Sequence, residues 1–283
     1  MANPVLNERS LEQAAKSWAP PQPGSAFGEA GWGARSGTAP VDDGPVSSWH
    51  GAMTVNGTVT ATATLMVLLL ASATVGWMRT GTPDVDPLTG AYSYGIPALA
   101  WVGVVVGLVA AFALYFKPMW AKFIAPVYAI AQGFFVGAIS RMYETFMDGI
   151  VIQAAGATLA VFAVMLVLYR TGVIKVTDRF RKIVVTATLG VALFYGVSLL
   201  IRLFAGPESV SFLHSPSLLG IGISVLVSGL AAMNLALDFD FIERGSRQGL
   251  SKDFEWFAAF GLLVTIVWLY LELLRLLAKL RER

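Results

Sequence analysis

Leu230-Ala-Ala-Met-Asn234-Leu-Ala-Leu-Asp238-Phe-Asp240-Phe-Ile-Glu-Arg244-Gly245 closes a long apolar run, and it carries two carboxylates before that run stops. A carboxylate in or near hydrocarbon costs roughly 2.5–3.5 kcal/mol on insertion scales, so it needs a partner, a proton or a cation. Two readings stay open. Asp238 and Asp240 are ion or proton sites, or they are helix-end charges solvated among the headgroups. Side chains two apart on a regular helix point about 200° apart, so the pair cannot share one axial site. One turns inward; the other turns toward the headgroups or a basic loop residue.

This run is the sixth of seven, at 57–79, 96–116, 120–141, 149–169, 183–205, 217–240 and 255–276. A bilayer core of about 30 Å needs about 20 helical residues, and each run supplies that length. The totals agree. Of 283 residues, 56% are hydrophobic and 13% charged, against about 25% charged in soluble domains. The expected fold is all-α: a polytopic membrane protein, a seven-helix transmembrane bundle over 57–283. The runs are rich in small residues, as in Gly103-Val-Val-Val-Gly107. Spacing of four lets helices approach closely, and packing alone accounts for nearly all these glycines.

Residues 1–56 differ in character. Pro, Gly, Ser and mixed charges dominate, with Trp18, Trp32 and Trp49 scattered among them. Such a segment buries too little apolar surface to offset its ordering entropy, so a disordered tail is expected. It does not read as a secretory signal, because the first apolar run begins late and is too long.

Lys and Arg in short loops set the orientation. The loop 170–182 carries Arg170, Lys175, Arg179, Arg181 and Lys182; Lys117 and Lys122 follow the second run; Arg244, Arg247 and Lys252 follow the sixth. Alternation puts these and the N-terminus on one side, the cytoplasmic face of the cell membrane. The basic end, Arg275, Lys279, Arg281 and Arg283, conflicts with seven full crossings. Either the last helix stops short, or packing overrides the charge rule. Its core, 257–274, is about 27 Å of helix and long enough to cross.

The chemistry-bearing residues are sparse. There are no cysteines, which excludes disulfides and thiol catalysis, and there is no phosphate loop, no His-Glu-x-x-His motif and no serine placed with a base. His50 and His214 are far apart in the chain and make a poor metal site. No enzyme, cofactor or nucleic-acid partner is expected. Arg141 and Arg202 sit where long side chains snorkel. Gln132 and Asn234 read as interhelical hydrogen bonds, and Tyr195 as packing or an interfacial anchor. Glu272 has Arg275 one turn on, an intrahelical pair, or else faces the bundle interior.

Three segments in order carry a resemblance. Val127-Tyr-Ala-Ile-Ala-Gln-Gly-Phe-Phe-Val-Gly-Ala-Ile-Ser140 resembles a third helix, Leu235-Ala-Leu-Asp238-Phe-Asp-Phe-Ile242 a sixth, and Leu269-Tyr-Leu-Glu-Leu-Leu-Arg275-Leu-Leu277 a seventh, of the Bax inhibitor-1 family, closest to its bacterial members. The resemblance spans about 57–280 and leaves out the tail. It implies a bundle with the last helix central. In some bacterial members it implies a proton-sensitive calcium leak, with acids on the sixth and seventh helices sharing a proton and a basic latch after the second. Carried over, the sixth-helix acid falls on Asp238 and the latch, by way of Tyr128, on Lys117. The seventh-helix position falls on Glu272 in one register and on Thr265 in the other. Glu272 lies 17 residues beyond Glu255, about 25 Å along a helix, which favours Thr265 facing Asp238. A calcium site would then be rebuilt with Asp240 or Gln132. A leak pathway is one expected function. The other is a non-transporting regulator of a membrane-bound, ATP-dependent protease or another partner, docking through the tail.

Overall fold

A computed structural model describes residues 51–81, 84–85, 92–93, 98–205 and 216–283. Seven helices run through them: α1 Val55–Arg79, α2 Ala98–Phe116, α3 Ala121–Phe146, α4 Ile150–Arg170, α5 Asp178–Ala205, α6 Leu218–Arg247 and α7 Phe254–Arg281. A two-residue ladder, Asp84–Val85 with Tyr92–Ser93, lies between α1 and α2. Six helices are long and apolar enough to cross a membrane. The other, α2, has 19 residues, within the range that spans a bilayer. The protein is an all-α polytopic bundle.

Hydropathy placed the helices; their ends follow caps and glycines. α3, α6 and α7 run five or more residues past the expected ends, and α5 starts five residues early. A helix continues beyond hydrocarbon until its terminal backbone groups find other partners. Thr54 caps α1 through the Gly57 amide at 2.9 Å, and Ser217 caps α6 through Gly220 at 3.1 Å. Glu144 accepts from the Gly149 and Val151 amides to start α4. Gly249, with φ +64°, makes the turn after α6.

The last helix is central. α7 packs against α1, α3, α4 and α6, and 56% of its apolar window is enclosed, against 11% for α5. Small residues bring the other helices together. A Cβ at Gly76, Gly133 or Gly137 would strike backbone oxygens across the α1–α3 contact. Gly103 and Gly107 face α3 in the same way, Gly103 over the Ala131 carbonyl.

Packing takes up part of the basic C-terminal end. α7 starts beside the 250–252 loop and ends at the opposite end of α6. Arg275 pairs with Glu272, Lys279 is tied to Gly220 and Ser224, and Arg281 donates to the Asp148 carbonyl at 2.8 Å. Acceptors within the bundle hold Arg275 and Lys279, and a surface carbonyl holds Arg281, so α7 runs the length of the bundle with two of its basic residues bound inside it.

The expected tail boundary at 56 is corrected. Residues 51–54 lie against the α6–α7 loop, and α1 begins at Val55. The rest of the tail, with its three tryptophans and His50, lies outside the described residues, as do His214 and the Arg202 side chain.

Candidate functional site

α6 and α7 run antiparallel in one register. Near the end of α7, Lys279 Nζ donates to Ser224 Oγ at 2.8 Å and to the Gly220 carbonyl at 2.9 Å. Fourteen residues on in α6 and fourteen back in α7, the Asp238 carboxyl meets the Thr265 hydroxyl. Asp238 Oδ1 also lies 3.7 Å from where a Gly261 Cβ would stand, so the glycine gives the carboxyl its room. Asp238 Oδ2 is sealed from the surface and has no hydrogen-bond partner.

Thr265 has one hydroxyl hydrogen to give and can also accept. Its Oγ1 donates to the Gly261 carbonyl at 3.2 Å. In that arrangement the oxygen is left to accept from a protonated Asp238. Turned the other way, the same hydrogen serves the ionised carboxylate. The pair therefore has a different bonding pattern for each protonation state.

Asp238 borders a cavity of about 550 Å³ between α5, α6 and α7. Val185, Leu237, Phe241 and Phe257 form apolar wall, and Asn234 and Gln248 add amides. Asn234 Nδ2 is held by Thr188 Oγ1 of α5 at 2.8 Å, the interhelical bond expected of it. Arg181 and Arg244 also line the cavity, with side chains 38% and 40% exposed. Both pair with one oxygen of Asp240, Arg181 at 3.1 Å and Arg244 more closely. The two aspartates thus diverge as helix geometry requires: Asp238 faces α7, and Asp240 ties α5 to α6.

The remaining candidates lie elsewhere. Glu272 is 2% exposed and two turns from Thr265, about 10 Å along α7. It accepts from Tyr195 at 2.6 Å and from Arg275 at 3.0 Å. The intrahelical pair is present, and Tyr195, expected as packing or an interfacial anchor, is a hydrogen-bond donor across helices. Gln132 Oε1 lies by Gly107 of α2 and does not line the cavity. Lys117 is exposed, with Nζ 4.6 Å from the centre of the Trp120 ring. Neither is brought to Asp238.

Sequence reasoning missed Arg181, Lys279 and Glu255 as site or core residues. Lys279 had a signal: Thr265, Glu272 and Lys279 recur every seven residues and share one face of α7. Arg181 had a partial signal, as one of the basic loop residues toward which an aspartate was expected to turn, and Glu255 had none, since its partner is remote in sequence. Glu255 is 5% exposed and accepts from both the amide and the hydroxyl of Thr54 at 2.9 Å.

No curated protein matches the chain. A family model described as Bax inhibitor 1 like matches residues 3–282, taking in the N-terminal segment that the resemblance over 57–280 left out. With nearly its whole length matched, the chain belongs to the Bax inhibitor 1-like family.

Proposed function

We infer that the protein is a proton-responsive cation leak pathway, with Asp238 as the group whose protonation sets its state. The observation that carries this is the sealed, unpartnered Asp238 Oδ2 beside Thr265 at the cavity wall. A buried carboxylate without a full set of donors costs stability unless it takes a proton or a cation. Calcium is the cargo that the family resemblance implies. Among the described residues no three acidic, His or Cys side chains converge. Calcium takes six to eight oxygens, so at Asp238 it would keep most of its water. Arg181 and Arg244, drawn together on Asp240, put positive charge along the route, which is the arrangement of a closed state. The reading places the protein in the cell membrane with this cavity and the N-terminus on the cytoplasmic side, from the lysines and arginines of the flanking loops.

A second reading, a regulator acting on a protease or another partner through its tail, draws support from the tie between residues 51–54 and the cavity loop. The test is flux from purified protein in liposomes loaded with a calcium indicator, at two pH values. Flux above protein-free liposomes that changes with pH supports the leak. Folded protein with no flux overturns it and leaves the regulator.

A further inference from the structure

The loop that walls the cavity is held by the segment before α1. The Gly51 carbonyl accepts from the Lys252 amide at 2.8 Å, and Met53 N donates to the Leu250 carbonyl at 2.6 Å. Ala52 and Ser251 form an antiparallel bridge between them. Thr54 gives both its amide and its hydroxyl to Glu255. Met53 is 1% exposed. Its sulfur fills the space beside Gly245, where a Cβ would stand only 2.8 Å from it.

Two of these partners, Gly245 and Leu250, are themselves cavity wall. They bond to each other, Leu250 N to the Gly245 carbonyl at 3.1 Å. Met53 therefore touches both, by its amide and by its sulfur. Glu255 stands one turn before Ala258 and two before Gly261, α7 residues of the cavity wall, of which Gly261 lies beside Asp238. Starting α1 requires none of this. The Thr54 hydroxyl already caps the helix through Gly57, and a capped helix is complete without a buried carboxylate from the far end of the chain.

We propose that residues 51–54 act as a lever on the Asp238 cavity, with Met53, Thr54 and Glu255 as its positioning residues. Whatever displaces the chain ahead of Gly51 moves the Leu250 and Gly245 wall by way of Met53, and the start of α7 by way of Glu255. The geometry of the lever stands by itself; its effect on flux rests on the leak reading above.

The absence of cysteines makes a clean test. In the full-length chain, Leu237→Cys puts one thiol on the cavity wall, and Ala154→Cys puts one in the fully buried contact of α4 with α7. Labelling by a charged, water-soluble thiol reagent is timed in each, with and without Met53→Ala or Glu255→Ala, which removes the oxygen that takes both Thr54 donors. The lever predicts labelling at 237 at least about fivefold faster in either lever variant, since losing one buried hydrogen bond shifts a local opening by roughly that factor and deleting a buried methionine side chain shifts it further. Labelling at 154 stays unchanged. An unchanged rate at 237 in folded protein, or an equal rise at both positions, overturns the proposal. Flux from the same lever variants separates the two readings. Faster labelling in protein that shows no flux keeps the lever and removes the leak. Flux in every variant with unchanged labelling keeps the leak and removes the lever.

Discussion

Asp238 of α6 and Thr265 of α7 stand at one level of an antiparallel seam whose other end is Ser224 with Lys279. That register fixes what the seventh helix presents to the aspartate. It is a hydroxyl, and the nearest acid along the same face of α7 is Glu272, two turns away. The second carboxylate that the family resemblance implies does not stand at this level, and Asp238 faces instead a hydroxyl whose hydrogen can turn either way.

Glu272 should consequently be a stability residue. Glu272→Ala leaves Arg275 and the Tyr195 hydroxyl without their buried acceptor, and breaking a buried pair costs about 3–5 kcal/mol. Arg275 is one-third exposed, which places the loss toward the lower end of that range. A drop in thermal midpoint is expected in detergent. The milder Glu272→Gln should keep the wild-type pH response of flux; a lost response would return Glu272 to the proton site.

Asp240 holds two guanidiniums, and Asp240→Asn should weaken the α5–α6 contact. Both arginines are more than a third exposed, so solvent screening limits the loss to about 1–2 kcal/mol. The same change loosens the positive charge along the cavity and should raise basal flux. Flux equal to wild type in Asp240→Asn would remove the closed-state role given to the cluster.

Lys117 should be nearly silent. Its ammonium lies over the Trp120 ring on the surface, a contact worth about 0.5–1 kcal/mol at exposed sites. Lys117→Met is expected to leave the pH profile of flux unchanged. A shifted profile would restore the latch role that the family resemblance assigns to that position.

The α1–α3 contact should tolerate no side chain at Gly137, where a Cβ would collide with the Ala73 carbonyl. Gly137→Ala is expected to cost about 1–3 kcal/mol through forced backbone shifts. Gly156→Ala, with open space around it, serves as the comparison in thermal unfolding and should be neutral or slightly stabilising.

Much of this was legible in the sequence, because membrane helices announce themselves by length and hydropathy. The divergence of Asp238 from Asp240 followed from 100° per residue, and the depth of Glu272 followed from 1.5 Å per residue. Helix ends were misplaced because Thr54, Ser217 and Gly249, rather than apolar content, set them. The Arg181–Asp240 pair joins residues 59 apart and the Thr54–Glu255 pair residues 201 apart. No local pattern links such partners, since only the closed bundle brings them together. Lys279 lay within reach of the heptad shared with Thr265 and Glu272, yet it was read only as one charge of the basic C-terminal end.

The central claim is that Asp238 is the proton-responsive group, and its most direct test is the pH profile of ion flux through Asp238→Asn in liposomes. The amide keeps the size of the carboxyl and cannot titrate. The account predicts flux from the folded variant that no longer changes with pH, while wild type measured beside it responds. A variant whose flux tracks pH as the wild type does would contradict the account and move the proton site away from Asp238.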